Sequence, residues 1–380
     1  MADSRRIVLV GPMYPYRGGI AHLSETMAAC LLERGHKVHA ITFTRQYPAL
    51  LFPGRTQYET GTTVERAVEA ERLIDTINPF SWWRTAGRIQ ELGAEVVIFR
   101  YWHPFFAPVF GTMARILARK NIQSLVVVDN ALPHERRPGD VVLGRYCFSA
   151  MRGCVAMSSA VGRDLDQLGV SCPRALAPHP VYDSFGKPSD RALARKKMGL
   201  AKDLPVILFF GFVRRYKGLH VLLESMPTVR DALPDVRLLV AGEFYDDEEP
   251  YQKKVESLGL QNHVKLLNQY IPKDEVADYF AAADVVVQPY LSATQSGVAQ
   301  VAYQFEVPII TTDVGGLAEI VPHEEAGLIV PPGDAAALAS AIVRYFVDDM
   351  RASLIAGVRR QKQSLGWDQL LDAIESVMQP

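Results

Sequence analysis

The chain has 380 residues, 48% of them apolar and 22% charged, with 41 basic side chains against 42 acidic ones. That length points to two domains of ordinary size and that composition to a globular protein, which excludes a mainly disordered chain. The balanced charge excludes a nucleic-acid protein whose affinity rests on bulk positive potential, so any anion site must be local.

The N-terminus places Arg5 and Arg6 before an apolar stretch too short for a signal-peptide core. No later stretch reaches the roughly 18 apolar residues needed to span a bilayer, so membrane contact would be peripheral, on the inner face. Four cysteines without a C-x-x-C pair are too sparse for a disulfide scaffold, and a reducing, cytoplasmic location is expected.

In chain order, β-branched runs at residues 7–10, 38–42, 96–99, 125–128 and 155–157 alternate with helix-period segments, the pattern of a parallel sheet covered by helices. The first strand enters a loop ending Tyr16, Arg17, Gly18, Gly19, followed by a helix with Ile20, Leu23, Met27 and Leu31 on one face. Glycines there let a phosphate approach the free N–H groups of a helix start, and they equally serve a bare turn. The stretch 100–106 (RYWHPFF), with Trp82, Trp83 and Arg84, mixes aromatic and basic groups as an interfacial surface would, although aromatics in such a domain also build core. Asp164 and Asp166 form a D-x-D, but on a helix positions two apart diverge, and no His or Cys cluster has ligand spacing.

Prolines 173, 178, 180 and 188 with Ser184, Gly186 and Ser189 mark a linker near residues 180–190. The strand series then restarts at 206–210, 238–241, 264–267, 285–287 and 309–311. Here the first strand enters a loop carrying Arg214, Arg215 and Lys217 before Gly218. Cations at a helix start oppose its dipole, a cost that a bound polyanion would offset, while a solvated loop remains the plain alternative. Thr294, Gln295, Ser296 and Gly297 precede another helix, which contains Gln300, and suit either N-capping or a diphosphate oxygen. After Gly366, Trp367, Leu370, Leu371, Ile374 and Met378 repeat at helical spacing and need something to pack on.

Segments 211–223, 240–242, 281–290, Ser296 with Gly297, 307–321 (VPIITTDVGGLAEIV) and 327–334 (GLIVPPGD) together resemble the donor-binding half of family 4 retaining glycosyltransferases, which have the GT-B fold. Arg17, Gly18, Gly19 and the closing Trp367 helix are similar to that family too. The resemblance implies an α/β protein of two Rossmann-like domains facing across a cleft. The acceptor-side domain would span 1–183 and the donor-nucleotide domain 191–365, with a helix at 366–380 packing back on the first.

It further implies a hexosyltransferase-like enzyme that moves a sugar from a nucleoside diphosphate sugar to a sugar or lipid-linked acceptor hydroxyl. Retention of configuration, synthesis of a glycan, polysaccharide or glycolipid, and no cofactor or metal are part of the same expectation. Gly18 and Gly19 would meet the donor diphosphate, Lys217 with Arg214 or Arg215 would neutralise it, and Thr294, Gln295, Ser296, Gly297 and Gln300 would line the donor site.

Two departures matter. The family's pair of glutamates eight residues apart is absent: counting back from Pro308 puts Ala293 and Val301 there, beside the neutral Thr294, Gln295 and Gln300. Where the family often has a histidine near the sugar, this chain has Asp129, with His134 five residues later; both are catalytic candidates. These departures keep open a nucleotide-sugar-binding protein without catalysis, and a nucleotide-sugar epimerase of similar fold.

Overall fold

A strand covered on both faces needs an unbroken apolar run, and such runs form the centre of two parallel sheets. In the computed structural model, which describes residues 4–48, 52, 56–59, 66–133, 136–182 and 185–378, the chain divides into two compact units. One is Met1–Pro180 with Trp367–Pro380; the other is Val181–Gly366.

The first unit contains β1 (Arg6–Val10), α1 (Gly19–Glu33), β2 (Lys37–Arg45), β3 (Ala70–Asp75), α2 (Pro79–Glu91), β4 (Val96–Tyr101), α3 (Ala107–Ala118), β5 (Gln123–Val128), α4 (Asp140–Phe148), β6 (Gly153–Ala156), α5 (Ser159–Gln167) and β7 (Arg174–Leu176). Its sheet has the order β3-β2-β1-β4-β5-β6-β7, with every recorded strand pair parallel. The order reverses between β1 and β4, where the carboxyl ends of the strands open a crevice. The terminal helix, Trp367–Ser376, contacts α1, β6 and β7 and buries Leu370, Leu371 and Ile374, while Trp367 is half-buried. Arg34 holds its outer face through Asp372 at 2.5 Å, Asp368 at 2.9 Å and Glu375 at 3.2 Å.

The second unit contains α6 (Arg191–Lys197), β8 (Val206–Phe210), α7 (Leu219–Ala232), β9 (Arg237–Ala241), α8 (Glu249–Ser257), β10 (Val264–Leu267), α9 (Val276–Ala282), β11 (Val285–Gln288), α10 (Gly297–Gln304), β12 (Ile309–Thr312), α11 (Leu317–Ile320), β13 (Gly327–Val330), α12 (Ala335–Val347) and α13 (Arg351–Ser364). Strand order is β10-β9-β8-β11-β12-β13, again parallel, with the reversal between β8 and β11. Asp284, just before β11, gathers Arg195 at 2.9 Å and Arg191 and takes the Val206 amide, which ties the start of the central strands to α6.

The sheets contain strands beyond the β-branched runs: β3, β7 and β13. The stretch 100–106 is mostly interior, because Arg100, Tyr101, Pro104 and Phe106 are buried and Trp102 and Phe105 half-buried. Trp82 is core as well, its indole N–H donating to the Asp75 carbonyl at 2.7 Å, whereas Trp83 and Arg84 are exposed. Asp164 pairs with Arg136 at 3.7 Å and Asp166 with Arg174 at 2.6 Å, so the two carboxylates diverge as helix spacing requires.

Candidate active site

In the second unit the loops at the carboxyl ends of β8 and β11 are stitched together. The Tyr216 carbonyl accepts from the Leu291 amide at 2.7 Å, and Gly218 lies against the Pro289 carbonyl. A Cβ on Gly218 would fall 1.8 Å from that oxygen, and its φ of +70° is left-handed, so glycine is needed for two independent reasons. A single 3-10 turn, Arg215–Lys217, then passes into α7.

This turn sorts its three cations. Arg215 is exposed and its backbone amide is pinned to Asp246 at 2.6 Å. Arg214 is half-buried with its guanidinium 5.6 Å from the Tyr216 ring centre. Lys217 turns inward: it is only 9% exposed, and its Nζ lies 5.6 Å from the Tyr290 ring centre and beside Gly211. Val298, in the first turn of α10, reaches the same spot against Gly211. Among the described residues Lys217 has no carboxylate partner. Burial, reinforced by the like charge of Arg214, pulls its ammonium down to a pKa of about 8.

The N-terminus of α10 completes this edge. Ser296 caps the helix, accepting from the Ala299 amide at 3.3 Å and from Gln288 Nε2 at 2.9 Å. The Gly316 amide donates to the Thr294 carbonyl at 3.1 Å, fixing the preceding loop. Thr294 and Ser296 are buried, Gln295 and Gly297 half-buried. Gln300 is fully buried, and neither polar atom of its side chain has a hydrogen-bond partner among the described residues. Nothing in the local sequence pattern singles out Gln288, which orients Ser296, or a ring cluster at the same edge. Phe212, after β8, lies 4.5 Å from Tyr245, after β9, and 6.3 Å from Tyr270, after β10, centre to centre.

In the first unit Gly18 (φ +108°) begins α1, a position that favours glycine although a Cβ there would meet open space. Its carbonyl accepts from the amides of Ala21 and His22, and Gly19 opens the first turn. At the end of β5, Asp129 is 3% exposed and places both carboxylate oxygens 2.7 Å from Arg100 Nη2. The catalytic candidate Asp129 is thus one half of a buried ion pair. His179, absent from the sequence candidates, is buried beside it; burial drives its pKa to about 4, so the ring is neutral at physiological pH. His134 lies outside the described residues. No group of three or more His, Cys, Asp or Glu side chains with metal-holding geometry occurs among the described residues.

Two parallel-sheet Rossmann-like units match the structures of GT-B glycosyltransferases. The chain belongs to the group 1 glycosyltransferases: the model of that description, glycosyl transferases group 1, matches residues 204–348. D-inositol 3-phosphate glycosyltransferase 1 of Catenulispora acidiphila is 30% identical over 319 residues, 77% of this chain and 74% of that protein. The D-inositol 3-phosphate glycosyltransferase of Xylanimonas cellulosilytica is 32% identical over 226 residues, 57% of this chain and 52% of that protein. Among solved structures, sucrose-phosphate synthase from Thermosynechococcus elongatus matches at TM-score 0.77 and 21% identity, covering 98% of this chain and all of that one. The Anabaena HepE structure in complex with UDP-glucose matches at TM-score 0.75 and 17% identity, covering 98% of both chains.

Proposed function

We propose that this glycosyltransferase takes its sugar from a nucleoside diphosphate sugar and passes it, with retention, to a hydroxyl of a sugar or lipid-linked acceptor in glycan, polysaccharide or glycolipid synthesis. The observation that carries the reading is the buried Lys217 ammonium. A cation held in a dry edge without a carboxylate is costly alone and becomes favourable when an anion arrives. When the bond from the anomeric carbon to the phosphate oxygen breaks, charge grows on the departing diphosphate; Lys217 and Arg214 stand at a helix N-terminus suited to receive it. The half-buried rings of Phe212, Tyr245 and Tyr270 offer a face on which a base can stack.

The test is a thermal-shift panel of uridine, guanosine and adenosine diphosphates followed by assay of sugar transfer with the matching donor. A ligand at a hundred times its dissociation constant adds about 2.7 kcal/mol. Binding without transfer or hydrolysis would establish the non-catalytic reading, which the absent glutamates and the committed Asp129 favour; an isomerised donor without acceptor would establish the epimerase.

Fixed cations in place of a metal lead to a further expected result: transfer is the same with and without a chelator. Activity lost on chelation and restored by manganese or magnesium would overturn it.

A further inference from the structure

Among the described residues eleven large apolar side chains are exposed, and six of them fall on α2, α4 and the turn that opens α2. They are Ile77, Phe80, Trp83, Val141, Val142 and Tyr146, with Phe80 at 78%, Val142 at 69% and Trp83 at 67% exposure. Isolated apolar side chains on a surface need no explanation, but this concentration does.

The topology puts five of these residues on one rim, while Tyr146, in the last turn of α4, packs under the Arg115 guanidinium at 4.0 Å. α2, α3 and α4 connect β3 to β4, β4 to β5 and β5 to β6, each crossing the sheet in the same direction. Right-handed crossovers therefore lay all three on one face, and α3 contacts both neighbours. Helices in such units run against the strands, so their first turns lie at the carboxyl edge of the sheet. Ile77 and Phe80 flank the N-cap Asn78, Trp83 follows on the next turn, and Val141 and Val142 open α4. The half-buried Trp102 and Phe105 fill the position between them, at the turn before α3.

The charges on the three helices are Arg84, Arg88, Arg115 and Arg145 against Glu91 and a buried Asp140. Arg88 is paired with Glu71, whereas Arg84 is exposed next to Trp83, and Arg145, one turn after Val141 and Val142, is exposed although its Nε donates to the Leu168 carbonyl at 3.3 Å. Apolar prongs on separate helices, spaced along a rim and interleaved with arginine, fit a charged plane better than a single groove.

We propose that this rim docks the protein on a lipid bilayer bearing anionic headgroups. Phe80, Trp83 and Val142 enter the boundary between headgroups and acyl chains, and Arg84 and Arg145 meet lipid phosphate. The surface belongs to the first unit and is independent of Lys217, so its binding can be read without donor or acceptor.

The experiment is flotation of the full chain with phosphatidylcholine vesicles, with and without phosphatidylglycerol. The parent chain is expected to float with the anionic vesicles and to be released by salt. Phe80→Ser with Trp83→Ser should lower partitioning about tenfold or more at unchanged melting temperature. Arg84→Gln and Arg145→Gln should each lower it about fivefold on anionic vesicles alone. Val142→Ser, on a different helix, provides a second apolar test should the double variant fold poorly.

Failure of the parent chain to float, or equal flotation of the apolar variants, overturns the proposal. So does a dimer in sedimentation that the Phe80 and Trp83 substitutions dissolve while vesicles are ignored, which would make the rim a contact between protein chains.

Discussion

Lys217→Ala is expected to lower turnover by about a hundredfold to a thousandfold while leaving the melting temperature at or above that of the parent chain. Both halves follow from its burial. In the empty protein the ammonium has lost water and gained no carboxylate, so removing it relieves a cost. In the transition state it faces the charge of the departing diphosphate, so removing it forfeits stabilisation that no other buried cation of this turn supplies. Arg215→Ala should be close to neutral because its side chain is in water, whereas Arg214→Ala should weaken diphosphate binding.

The same lysine sets a pH signature. Its ordinary pKa of 10.5 is drawn down to about 8 on folding. Between those values the unfolded chain holds the proton and the folded one does not, so stability gains from this group as pH rises through that window. Diphosphate affinity should move the opposite way, falling above about pH 8 as the cation is lost. Lys217→Met, which keeps the stem, should abolish that fall. Unchanged turnover in Lys217→Ala with a normal fold, or an affinity flat across pH 7 to 10, would remove this residue from the chemistry and favour the non-catalytic reading.

Leu370→Ala is expected to destabilise the first unit by about 2–5 kcal/mol, and a chain ending at Gly366 by more. Leu370, Leu371 and Ile374 are fully or almost fully buried against α1, β6 and β7, and deleting them uncovers those elements together. Denaturant unfolding followed separately in each unit checks this, since the loss should appear in the first unit. If truncation leaves that transition unmoved, the helix adds nothing to the sheet it touches.

Legibility in the sequence followed physical environment. Residues 96–99 and 285–287 read as strands because burial on both faces demands continuous apolar runs. β3 (AERLID) escaped because, as an edge strand, it pairs on one side and has Ile74 as its one fully buried residue. β7 escaped because it has three residues, two of them exposed.

The loop 214–217 was recognisable from its charge at a helix start, yet its sorting was not. Lys217 is inward because Pro289 and Tyr290, from another strand's loop, close over the turn. The partner of the candidate Asp129 was likewise hidden, because Arg100 is 29 positions away and reaches it only through the pairing of β4 with β5. The aromatic stretch 100–106 suited an interfacial surface and a core alike, because composition alone does not tell a rim from the core beneath it.

A sheet whose covering is completed by the chain's last helix has an order of assembly built in. While residues 181–366 are being translated, about ten to forty seconds at ordinary elongation rates, the face awaiting Leu370 and Ile374 has no cover. Arg34 also lacks its three carboxylates, and Gln123 lacks the Val377 carbonyl that it later holds at 3.1 Å. The second unit, made of one continuous segment, is synthesised whole before the helix that closes the first is added. The earlier-made half waits as a nascent intermediate whose closing contact arrives last.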